Sequence, residues 1–226
     1  MNNNIPPITK NLLIINVLCF FGAIVAERYG IDAEKILSLH FFMASDFNMG
    51  QLVTYMFMHG GFTHIFFNMF ALWMFGRVLE QVWGPKRFLI YYMVCGIGAG
   101  LIQEIVQFVE YETVLSNYDS VQTGFGIIPM EEYLNMMRTV GASGAIYGIL
   151  LAFGMLFPNS EMFIFPLPMP IKAKYFVIGY AVLELVLGIT GGDGIAHFAH
   201  LGGMLFGLIL IIYWRKKNGG GQQIYY

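Results

Sequence analysis

Six apolar runs alternate with polar segments along the chain. They cover Asn11–Ala26, Phe62–Leu79, Phe88–Val109, Ser143–Phe157, Tyr175–Ile189 and His197–Trp214. Several fall short of the ~20 residues a helix needs to cross hydrocarbon, so local thinning or ends buried in protein are expected. Helix breakers stand between the runs: Trp83-Gly84-Pro85, Pro158-Asn159, and the stretch from Pro166 to Pro170. The pattern predicts an all-α membrane protein with six spans in one domain over residues 11–214. Short tails of residues 1–10 and 215–226 flank it. The long connection from Glu110 to Val140 carries a turn-like Thr123-Gly124-Phe125-Gly126 and predicts a short amphipathic helix at Met130–Met137.

Composition agrees. The chain is 57% hydrophobic, 16% aromatic and 12% charged, where a soluble domain carries about 25% charge. A formal charge of -2 points away from nucleic acid as a partner. Cys19 and Cys95 lie inside apolar runs and read as packing residues. The first run lacks a small-residue cleavage site and reads as a retained span. With the N-terminus in the cytoplasm, nine basic residues fall inside (Lys10, Arg77, Lys86, Arg87, Lys172, Lys174, Arg215, Lys216, Lys217). Three, Arg28, Lys35 and Arg138, fall outside. That bias satisfies the positive-inside rule and puts both termini in the cytoplasm.

This topology gathers the polar chemistry at one depth. Spans 2, 4 and 6 all run from outside to inside. His59 and His64 open span 2, Ser143 opens span 4, and His197 and His200 open span 6. His40 lies in the first outer loop, so all five histidines share one side. Span 4 carries Gly144 and Gly148, and span 6 carries Gly203 and Gly207; small-xxx-small faces let backbones approach closely. If these faces meet, Ser143 and His200 differ in height by about 3 Å.

A serine becomes a nucleophile when a positioned base takes its proton. Ser143 stands in Gly141-Ala142-Ser143-Gly144, and His200 is the candidate base. Attack on a carbonyl also needs donors for the oxyanion. His64 and Asn68, four residues apart, share a helix face, and the Ser143 N–H lies at a helix start. His64 and Asn68 serve equally as an interhelical polar clamp. Glu104 and Glu184 lie inside spans with no basic partner evident in sequence. Asp193, in a glycine-rich turn, reads as a turn residue rather than an orienter of histidine. A Ser–His dyad is therefore expected, with no metal and no cofactor.

These motifs together resemble the rhomboid family of intramembrane serine proteases. The matching residues are His59, His64 and Asn68 in MHGGFTHIFFN, the GxSG of Gly141 to Gly144, and Tyr147 one turn on. His200 follows, with glycines three and seven residues later at Gly203 and Gly207. Glu80 and Gly84, closing span 2, also fit. The resemblance implies a six-helix rhomboid-like bundle that cleaves transmembrane segments of single-span or multi-span membrane proteins, and the expected setting is the plasma membrane. It implies His200, not His197, as base, and an oxyanion hole of His64, Asn68 and the Ser143 amide. His59 would support that hole and Tyr147 would stack under His200.

Other classes are less well matched. A non-proteolytic rhomboid-like client binder usually lacks the serine or the histidine. A metal or haem protein could use His59, His64, His197 and His200, but no His-Glu-x-x-His pattern appears. An aspartyl intramembrane protease needs aspartates inside spans, whereas Asp119 and Asp193 lie in loops.

Overall fold

The computed structural model describes residues 5–124, 126–163, 169–191 and 195–217. Among the described residues the principal helices are α1 Pro7–Arg28, α2 Phe62–Trp83, α3 Pro85–Thr113, α4 Ser143–Leu156, α5 Ala173–Thr190 and α6 His197–Lys217. All but α4 are long and apolar enough to cross a membrane. Two of them outrun their apolar stretches because a proline opens each: Pro7 starts α1 and Pro85 starts α3, where the missing N–H costs nothing. Gly84, in left-handed backbone at φ 78°, separates α2 from α3. The Trp83-Gly84-Pro85 breaker is thus a single-glycine reversal. A π-helical turn at Leu72–Gly76 interrupts α2 midway.

The bundle is arranged around α4. This helix has 14 residues, about 21 Å at 1.5 Å per residue, less than the ~30 Å hydrocarbon thickness. It can be short because it is enclosed. Gly144, Ala145, Ile146, Gly148, Ile149, Leu150 and Ala152 are all buried. Its neighbours α3 and α6 press on it from two sides. The outer helices reverse the soluble pattern: on α5, Ile178, Val182, Val186 and Ile189 are exposed, while Glu184 is buried. With lipid as solvent, apolar side chains face outward and polar ones face protein.

Small residues set how closely the helices approach. A Cβ on Gly203 would run into the Gly144 backbone, and one on Gly148 would meet Cys95 and, at 3.1 Å, the Gly203 carbonyl. The expected α4–α6 face therefore exists, and α3 shares it through Cys95 and Ala99. Both cysteines are free, and Cys95 is buried in this contact. Tyrosine hydroxyls reinforce the crossing. Tyr91 donates to the Gly148 carbonyl at 2.8 Å, and Tyr55 to that of Gly96 at 2.6 Å.

The long connection between α3 and α4 is ordered structure. Strands β2 (Ser120–Thr123) and β3 (Gly126–Pro129) form a hairpin, followed by a helix at Met130–Met136 near its predicted place. Phe125 of the turn lies outside the described residues. The segment docks on the loop between α1 and α2. Leu134 packs with Phe41 and Ala44, and Asn135 accepts from the Asp46 N–H at 3.0 Å. The pairing of β1 (Leu39–His40) with β4 (Arg138–Thr139) then leads the chain into Gly141. Pro166 and Asp193 lie outside the described residues, as do parts of the turns around them. Pro170 is described beside the pairing of Glu161–Met162 with Ile171–Lys172.

Candidate functional site

The first turns of α2, α4 and α6 meet, and the serine and histidine meet with them. His200 Nε2 lies 2.8 Å from Ser143 Oγ. The close glycine crossing makes this possible. Ser143 precedes Gly144, whose backbone abuts Gly203, and His200 is three residues before Gly203. Tyr147, one turn along α4, lies flat under the imidazole with ring centroids 4.2 Å apart and planes 5° from parallel. Stacking of this kind fixes the plane of the imidazole ring.

Two backbone features hold the segment before Ser143. The Gly141 N–H donates to the Tyr55 carbonyl at 2.9 Å. Gly141 itself has φ +123°, a conformation side-chain-bearing residues rarely adopt. A Cβ there would sit 2.8 Å from Cε1 and Nε2 of His64 and 3.5 Å from Ser143 Oγ. His64 therefore lies beside the serine, as its place at the head of span 2 leads one to expect. His59 packs edge-on to His64 at 5.1 Å. Burial pushes His59 down to about 4, with His64 adding to the effect, so its ring is neutral at pH 7. The four-residue spacing of His64 and Asn68 has a local result too: Asn68 Nδ2 donates to the His64 carbonyl at 2.8 Å. The second N–H of that amide is not used by this bond.

The remaining polar partner is one that the sequence singles out without placing. Glu184 stands on α5, and its Oε2 lies 2.8 Å from His200 Nδ1 and 2.6 Å from His197 Nδ1. Its other oxygen accepts from the Tyr147 hydroxyl. The partners of Glu184 that are not evident in sequence are therefore His197 and His200. Helices α5 and α6 are sequential and pack together, and the buried side of α5 turns this carboxylate into the first turn of α6. A four-residue spacing could not reveal it, since 13 and 16 residues separate the partners. The available signal was an acidic residue inside a span, which is costly without a partner. Glu104 serves elsewhere. It accepts from the Phe42 N–H at 2.7 Å and ties the loop between α1 and α2 to α3.

The model of the rhomboid domain matches residues 46–217. The chain belongs to the rhomboid family. Among its relatives is Rhomboid protease AarA of Providencia stuartii, 28% identical over 217 residues, covering 91% of this chain and 71% of that protein. RHOMBOID-like protein 4 of Arabidopsis thaliana is 27% identical over 182 residues, and the match spans 76% of this chain but 38% of that protein. The human mitochondrial presenilin-associated rhomboid-like protein is 29% identical over 173 residues, which span 72% of this chain and 38% of that protein. As a rhomboid with five helices able to cross a membrane, the chain is an integral multi-pass membrane protein.

Within this rhomboid, metal-ligand geometry is found in one group of described residues: Glu184, His197 and His200 offer ligand atoms within 4.8 Å of one another. The four-histidine set of His59, His64, His197 and His200 is thus replaced by a two-histidine, one-carboxylate set as the metal alternative. Its carboxylate lies directly against both Nδ1 atoms, at hydrogen-bond lengths.

Proposed function

We propose that this rhomboid is a serine endopeptidase that cleaves transmembrane segments of other membrane proteins, with Ser143 as nucleophile and His200 as base. The 2.8 Å contact between Ser143 Oγ and His200 Nε2, inside a bundle of apolar helices, carries this reading. Ser143 Oγ attacks the substrate carbonyl carbon as His200 Nε2 takes its proton. The carbonyl electron pair moves to oxygen, where the Ser143 N–H, His64 and Asn68 stand as donors. His200 then protonates the departing amide nitrogen, leaving an acyl-serine, and water activated by the same ring hydrolyses it. Gly141 keeps room for His64 beside the serine, His59 supports His64 from behind, and Tyr147 holds the plane of His200. The site works without a cofactor or metal.

Depth supports an intramembrane substrate. Helix α4 is about 9 Å shorter than the hydrocarbon; we place the deficit at its Ser143 end, which puts Ser143 below the outer surface, within reach of a helix arriving laterally. The basic-residue bias supports cytoplasmic termini, and we propose the plasma membrane as the setting. The test is incubation of detergent-purified protein with a single-span model substrate. Wild type should cleave and be labelled on Ser143 by a serine-directed phosphonate, while Ser143→Ala and His200→Ala should do neither. Cleavage by Ser143→Ala rejects the reading. Loss of wild-type activity in chelator, restored by zinc, would favour the metal alternative.

A further inference from the structure

The Ser143–His200 contact is one link of a longer chain of hydrogen bonds. Glu184 is among the few buried residues of α5, and each of its oxygens is engaged. Tyr147 of α4 donates to Oε1, while His197 and His200 of α6 meet Oε2. Three partners from two helices fix the position of the carboxylate. An ionised carboxylate without such partners would be very costly here.

We infer that Glu184 is a positioning residue for the reaction: it sets the tautomer of His200 and stands opposite the charge that forms on that ring. The inference rests on the proposed roles of Ser143 and His200. A neutral imidazole carries its proton on one nitrogen and accepts at the other. A carboxylate offers lone pairs and no proton, so the nitrogen facing it, Nδ1, is the one that carries hydrogen. The lone pair of Nε2 is then left facing Ser143. When the Ser143 proton moves to Nε2 and the Oγ–C bond forms, the ring becomes a cation 2.8 Å from Glu184 Oε2. Glu184 keeps its charge throughout and takes no proton. The proton leaves from Nε2 to the departing nitrogen as the C–N bond breaks. Tyr147 then acts twice, stacking on His200 and holding the carboxylate that orients it.

Glu184→Gln tests this with almost no change of shape. The amide can donate to Nδ1, which favours hydrogen on Nε2, and a ring in that state cannot receive the serine proton. We expect kcat to fall about 10²- to 10⁴-fold, with KM within about threefold and a melting temperature near wild type. Nitrogen-15 spectra of histidine-labelled protein give a readout that needs no substrate. Wild-type His200 should carry hydrogen on Nδ1, and Glu184→Gln should carry it on Nε2. Unchanged kcat, or the same tautomer in both proteins, overturns the inference. So does a fall in melting temperature with turnover per folded molecule intact, the signature of a mere clamp. Should Glu184→Gln not fold, Tyr147→Phe takes one donor from the carboxylate and keeps the stack; kcat should drop roughly three- to tenfold, and no drop overturns the idea. A wild type that neither cleaves nor labels would instead sink the protease reading, and the tautomer comparison would still decide the role of Glu184.

Discussion

At the scale of single residues, Gly141 is the most constrained position near the serine. Its φ of +123° and the His64 ring 2.8 Å from any added Cβ act together. Gly141→Ala should therefore displace His64 and lower turnover at least about 10²-fold, checked by cleavage rate per folded molecule. Asn68→Ala and His64→Ala should lower turnover by about 10²–10³, less than Ser143→Ala, with substrate binding little changed. If they serve only as a clamp, melting temperature will fall while turnover per folded molecule holds. His59 yields a pH prediction. Its folded value of about 4 lies below the ordinary value of 6.5. Its contribution to stability is complete above pH 6.5 and is lost as pH falls through 4. Melting temperature should drop more steeply between those limits in wild type than in His59→Gln.

At the scale of elements, the α4–α6 crossing decides whether nucleophile and base meet at all. Helices in lipid gain little from apolar burial against each other, so close packing and polar contacts must hold them. Gly203→Ala would place its Cβ 2.7 Å from the Gly144 carbonyl carbon and 3.2 Å from its Cα. Backbone cannot move aside as a side chain can. The helices must part, at a cost of about 1–3 kcal/mol, and Ser143 must separate from His200. The variant should melt lower and resist phosphonate labelling. Gly22 on α1 makes the contrast: nothing lies within 4 Å of an added Cβ, and Gly22→Ala should stay within about 0.5 kcal/mol of wild type. Equal melting temperatures for the two variants would show that the crossing does not limit stability.

At the scale of the whole molecule, what could be read from sequence was what repeats or aligns. Apolar runs gave the helices, glycines four apart gave the face on which α4 and α6 meet, and topology gave the common depth of His64, Ser143 and His200. What could not be read depended on rotation about helix axes. Nothing in the spacing shows which side of α5 turns inward, so Glu184 lacked its partners, and nothing showed that Cys95 and Ala99 of α3 fill the α4–α6 contact. The same limit hid a link at the opposite end of the bundle. Glu80, buried near the end of α2, accepts from the N–H groups of Ile8 and Thr9 at 2.9 and 2.7 Å and from the Thr9 hydroxyl at 2.7 Å. These are first-turn donors of α1, which a helix cannot satisfy from within. Their acceptor arrives 72 and 71 residues later in the chain. During synthesis, then, those first-turn amides have water as their partner until the second helix has been threaded across the bilayer and delivered its far end back to the starting side. The two helices are completed as a pair, and a ribosome that stalls between them leaves an anchor that is inserted but not yet capped.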